Sequence, residues 1–124
     1  MNDRELLEFA AKAAGFETIE FQDISGWGEV RHGYSQAIWN GDNYWNPLTD
    51  DGDALRLAVK LQLTVCNEHV SAGSVYCTGD DEQILSEVLS GKNEPEVIEE
   101  DYAATRRAIV MAAAEIGRNM EGAE

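Results

Sequence analysis

Cys66-x-x-His69, with Cys77 further along the chain and His32 upstream, is the one constellation here whose residue types suit zinc. Structural zinc sites draw on paired, closely spaced ligand sets, and only half of such a set is present. A hairpin with buried thiols and a surface histidine accounts for the same residues, so no metal is expected. The same cysteines and histidines form a nucleophile–base dyad only on paper. Closeness in sequence does not supply the geometry, and no nucleophile loop surrounds them. Gly26-x-Gly28 lacks the third glycine and the following helix of a phosphate loop. Asp50-Asp51-Gly52-Asp53 offers oxygens to calcium, yet it lacks the spacing and the closing bidentate glutamate of an EF-hand. Carboxylates are so numerous that no pair stands apart as acid and base. The expectation is a chain that is not an enzyme and uses no cofactor.

Two other groups of residues suit recognition. Trp27, Trp39, Tyr44 and Trp45 crowd a glycine-rich stretch, where they serve either as core or as a groove that stacks a ligand or anchors a protein. Between Asp80 and Asp101, nine acids stand against Lys92 alone and concentrate more than half of the chain's net charge of −15. These acids are either a solvated face or a surface that resembles the charge of a nucleic acid and engages a basic groove on a partner. The contact set this reading selects is Asp80, Asp81, Glu82, Glu96, Glu99, Glu100 and Asp101, with Trp27, Trp39 and Trp45 as apolar anchors. The same charge repels nucleic acid backbones and anionic membranes, and it steers the chain towards basic surfaces.

The elements that must position these residues follow from periodicity. The 124 residues suit one domain, 1–124, and 44% apolar content supports a core without staples. No run reaches the roughly 18 apolar residues of a membrane span. The acidic, amphipathic start is unlike a signal peptide, so a cytoplasmic location is expected, with Cys66 and Cys77 reduced or facing each other across a hairpin. Helical spacing marks Asp3–Ala14, closed by Gly15. Alternation marks a strand over Phe16–Phe21, and weaker strands fall at Val30–Tyr34 and Gln36–Trp39. A helix over Asp51–Leu61 has Leu55, Ala58, Val59 and Leu61 as its buried stripe, with Asp50 and Asp53 as a capping box. Leu63–Cys66 and Ser74–Cys77 read as a hairpin. Ile84, Leu85, Val88 and Leu89 suit a short helix ended by Gly91, with a strand pair as the alternative. Val97-Ile98 reads as an edge strand, and Asp101 caps a final helix over Tyr102–Arg118, with 119–124 frayed. The sum is an α+β domain, an antiparallel or mixed sheet packed with helices.

Two segments carry a resemblance. Residues 45–61, WNPLTDDGDALRLAVKL, and 104–117, ATRRAIVMAAAEIG, are similar to the signature and the closing helix of the phage ABA sandwich domain family. The resemblance implies an α–β–α sandwich and a phage or prophage accessory protein at work in a bacterial host cytoplasm. It carries over no catalytic residue. Taken with the net charge, it points to a non-enzymatic protein that binds a basic host protein, such as a nuclease or another immune component. The alternatives are a binder of a small molecule or nucleotide signal in the Trp-rich region, and a homodimer or larger homo-oligomer built by the alanine-rich final helix.

Overall fold

The computed structural model describes residues 1–24, 35–91 and 96–122. Helix α1 (Asp3–Ala13) opens with a reciprocal capping box. The Asn2 side chain accepts from the Glu5 amide at 2.8 Å, and Glu5 accepts from the Asn2 amide at 3.1 Å. Gly15, at φ +87°, closes the helix in the left-handed conformation that a residue without Cβ adopts at no cost. The strand expected from Phe16 forms later, as β1 (Glu20–Asp23), antiparallel to β2 (Gln36–Trp39), which pairs in turn with β3 (Tyr44–Trp45). The strand anticipated at Val30–Tyr34 and the residue Trp27 lie outside the described residues.

Asn46 joins this sheet to the next helix. Its side-chain amide donates to the Gln36 carbonyl at 2.6 Å, and its side-chain oxygen accepts from Leu48 N at 2.9 Å. Pro47 then leads into helix α2 (Asp51–Lys60), where Asp50 accepts from the Asp53 amide at 2.8 Å. The box is only half formed, because the Asp53 carboxylate turns instead to Asn46 N at 3.0 Å. That tether rotates the helix from the expected stripe. Asp53, Ala54, Leu57 and Ala58 are buried, while Leu55 and Val59 stand 64% and 68% exposed.

The second sheet joins β4 (Thr64–Glu68), β5 (Ser74–Thr78) and β6 (Ile84–Leu89) in antiparallel order. The helix favoured for Ile84–Leu89 is therefore a strand. Without it the outer edge of β5 would hold unpaired backbone groups, and a single helical turn or two supplies no partner for them. Val88 lies opposite the buried Val75, and Ser86 lies opposite the buried Cys77. The Ser86 hydroxyl also donates to the Ala108 carbonyl at 2.7 Å, pinning this strand to the last helix.

Helix α3 (Glu99–Gly122) starts earlier and runs further than its periodicity indicated. Val97-Ile98 is not a strand but the lead into the helix. Asp101 is not the cap residue but sits within the first turn, where its carboxylate accepts from Ile98 N at 2.9 Å. The helix lies against α1, α2 and all three strands of the second sheet. Ala104, Ala108, Ala112, Ala113 and Ala114 are buried inside the protomer, so the small residues proposed for self-association are already in use. Antiparallel sheets covered by helices make this one α+β domain. Among the described residues, no helix is long and apolar enough to cross a membrane.

Gly117 marks the closest approach of α1 and α3: a Cβ built there would run into the Phe9 carbonyl. In a solvated helix, Gly to Ala gains about 1 kcal/mol of helix propensity. Here Gly117→Ala is expected to cost about 1–3 kcal/mol through overpacking and to lower Tm by several degrees. Thermal unfolding by circular dichroism checks this, and an unchanged or raised Tm would mean the two helices are further apart.

Candidate functional site

Helix α2, strand β4 and the start of α3 enclose a groove of about 390 Å³. Ala54, Ala58, Val65 and Ile109 line its apolar part. At its mouth stand Leu55, 64% exposed, Val97, 48%, and Tyr102, 52%. Val59 continues this surface one helical turn beyond Leu55. Large apolar side chains gathered in water around one concavity mark a contact surface more than chance exposure does. The rim is acidic. Asp51 and Glu99 are 73% and 80% exposed, and Glu96 and Glu100, near Val97 and Tyr102 in the sequence, are exposed as well. Arg106 holds the two sides together. Its Nε donates to the Leu48 carbonyl at 2.9 Å, one terminal nitrogen lies 2.7 Å from Asp51, and the other lies 3.6 Å from Glu99.

The wall of the groove contains a buried polar cluster. His69 is only 6% exposed, where a surface histidine was expected. Its Nε2 lies 2.8 Å from the Thr105 hydroxyl and its Nδ1 3.0 Å from the Ser90 hydroxyl. Thr105 gives its single hydroxyl proton to the Asp101 carbonyl at 2.8 Å, so the Nε2 of His69 is the donor in their contact. Asp101 Oδ1 sits 3.5 Å from Nδ1 and is buried with no hydrogen-bond partner. An Asp–His–Thr set invites comparison with a nucleophile triad, but a general base must accept the hydroxyl proton. The proton directions here run the opposite way.

The residues singled out for partner contact do not form one patch. Asp80, Asp81 and Glu82 are exposed at the β5–β6 turn, whereas Glu96, Glu99 and Glu100 lie by the start of α3. The six-residue strand β6 separates the groups, which at about 3.3 Å per residue is roughly 20 Å. Asp101 is 2% exposed and presents no charge at the surface. Trp45 is 7% exposed and packs edge-on against Phe16 at 5.0 Å, so its main role is in the core. Trp39 is half-buried against Tyr44.

The zinc constellation is not assembled. Cys66 pairs in register with Tyr76 and Cys77 with Val65, which sends the two thiols to opposite faces of the sheet, unlinked. Among the described residues no group of His, Cys, Asp and Glu is placed to hold a metal ion. His32 lies outside them.

A second cavity, of about 530 Å³, lies on the other side of α2. Phe16, Tyr44 and Trp45 line it together with Arg56, Leu57 and Lys60. Arg56 is held by Asp53 at 2.7 Å. Of the aromatic group read from the sequence it holds Tyr44 and Trp45 but not Trp39, and its cations come from α2. Arg106 and Arg107 are bound to Asp51 and Asp3 and take no part in it.

Sequence reasoning missed the α2–β4–α3 groove and its polar wall. One signal was present: α2 carries Ala54, Leu55, Leu57, Ala58 and Val59, more apolar positions than one helix face can bury. The meeting of His69 with Thr105 spans the hairpin and the last helix and has no local signature. Compared with protein-family models, curated proteins and solved structures, the chain gives no match.

Burial pushes the Cys77 thiol up from 9.0 to about 11, partly offset by its hydrogen bond with Ser86. Because the folded-state value is raised, the stabilising contribution is complete below about pH 9 and is lost as pH rises towards 11. Alkaline unfolding is expected to steepen across that window, and less so in Cys77→Ala. Thiol titration at pH 8 should label Cys66 readily and Cys77 only after unfolding. Equal rates would contradict the placement of Cys77 in the core.

Proposed function

We propose that this chain is a non-enzymatic binding module that captures a partner protein with a surface both basic and apolar, on the face formed by α2, β4 and the start of α3. The observation that carries this reading is the conjunction at one groove of exposed Leu55, Val97 and Tyr102 with exposed Asp51, Glu96, Glu99 and Glu100. Each set has its own physical task. The net charge of −15 raises the encounter rate with a cationic surface. The apolar side chains hold what the field brings in, because their removal from water does not weaken with salt. Asp80, Asp81 and Glu82, at the far end of β6, add to the field rather than to the contact. The resemblance of residues 45–61 and 104–117 to the phage ABA sandwich family supports a partner from a bacterial host cytoplasm, where a nuclease or another immune protein with a basic groove fits the charge.

A second reading rests on the cavity beside Trp45. Aromatic walls with Arg56 and Lys60 at hand suit a planar anionic ligand such as a nucleotide signal. Stabilisation by nucleotides in a thermal-shift screen, abolished by Lys60→Ala, would move the function there.

An amphipathic helical peptide of leucine and lysine is the direct probe of the docking face, with a leucine and glutamate counterpart as control. Fluorescence polarisation should show binding of the basic peptide alone, weaker at high salt. Leu55→Asp should weaken it by about 2 kcal/mol, roughly thirtyfold, with the fold intact. Neutralising Glu96, Glu99 and Glu100 together should slow association and flatten the salt dependence. Equal binding by Leu55→Asp and the wild type would exclude this face.

A further inference from the structure

The wall of the groove holds one group that its own fold leaves unanswered. Asp101 is 2% exposed, and its two oxygens have different fates. Oδ2 accepts from Ile98 N at 2.9 Å and fixes the first turn of α3. Oδ1 is buried with no hydrogen-bond partner, 3.5 Å from His69 Nδ1. The imidazole does not meet that need: its two nitrogens lie within hydrogen-bond distance of Thr105 and Ser90, while 3.5 Å is long for a bond to Oδ1. A buried carboxylate oxygen without a donor is costly. Arg106 does not supply one either, since its nitrogens serve Leu48, Asp51 and Glu99.

We propose that the groove is a lysine pocket, a reading that rests on the docking face proposed above: a lysine side chain of the bound partner inserts beside Tyr102 and places its ammonium on Asp101 Oδ1. The chemistry of the walls matches both ends of that side chain. Leu55, Val65, Val97, Tyr102 and Ile109 offer apolar contact along a four-carbon stem. Asp101 offers the charge, in surroundings dry enough for a charge-assisted hydrogen bond to be strong. Lysine suits the space because its ammonium is compact, whereas a guanidinium needs a planar, bidentate acceptor, and one Asp101 oxygen is already committed to Ile98. Oδ1 is covered, so the guest displaces part of the groove wall to reach it.

The test uses n-butylammonium, which reproduces a lysine side chain, and 1-butanol as its neutral counterpart. In amide NMR spectra of the full chain, n-butylammonium should shift Val97, Asp101, Tyr102 and Thr105 saturably, with affinity about tenfold tighter than 1-butanol. Asp101→Asn keeps the cap acceptor for Ile98 and removes the charge, so it should fold and lose that preference. The same variant should bind the leucine–lysine peptide about tenfold more weakly. Shifts scattered over surface carboxylates, or equal shifts with the two probes, would overturn the pocket. So would a His69 ring protonated on both nitrogens at neutral pH, because Oδ1 would then already have its donor. The two readings fail separately. Peptide binding that Leu55→Asp abolishes and Asp101→Asn leaves intact removes the pocket and keeps the docking face, whereas no peptide binding by the wild type removes both.

Discussion

The backbones of α1 and α3 approach so closely at Gly117 that no side chain fits between that residue and the Phe9 carbonyl. Everything else in the fold is arranged around this contact. Small residues make it possible: Ala10, Ala11 and Ala14 on one helix, and Ala108, Ala112 and Ala113 on the other, are all buried. Close backbones multiply dispersion contacts that long side chains would have held apart. With one flank committed to α1, α3 turns its other faces to the second sheet and to α2. Ser86 anchors β6 to the Ala108 carbonyl, and Arg106 ties the start of the helix to the turn before α2. Between α2 and α3 the groove leaves Leu55 on one helix and Tyr102 on the other in water.

How much of this was legible in the sequence depended on whether the cause was local. The helical spacing from Asp3, Gly15 and the Asp50 cap are governed by neighbours within a turn, and they located α1 and α2 to within a residue or so. Strand β2 was read over Gln36–Trp39 as a weaker strand between glycines, and it forms with those bounds. The failures lie where a distant partner decides. Ile84–Leu89 carries spacing suited to a helix, but the edge of β5 and the backbone of α3 make it a strand. The rotation of α2 depends on Asp53 reaching Asn46, so the stripe containing Leu55 and Val59 was assigned to the core when it is exposed. The candidate site suffered most. His69, Ser90, Asp101 and Thr105 converge only after the hairpin is laid against α3, and the charge of Asp101 was counted on the surface when it is inside.

This burial changes how the acidity should be understood. The chain has two kinds of carboxylate, and they act over different ranges. Exposed Glu96, Glu99 and Glu100 belong to a field that salt screens over about 8–10 Å and that brings basic surfaces in. Asp101, enclosed beside His69, is shielded from that screening and acts only at contact distance. A protein with the first alone would attract basic partners with little choice among them. The second, set among apolar walls, gives the groove a reason to prefer one side chain over another.

The most direct measurement is a chemical-shift map of the labelled protein during titration with the leucine–lysine peptide. The account predicts saturable shifts confined to one continuous face, comprising Leu55, Val59, Val65, Val97, Tyr102 and Thr105, with Asp80–Glu82 unmoved. Shifts centred instead on Phe16, Tyr44, Trp45 and Lys60, or spread evenly over the exposed acids, would contradict it.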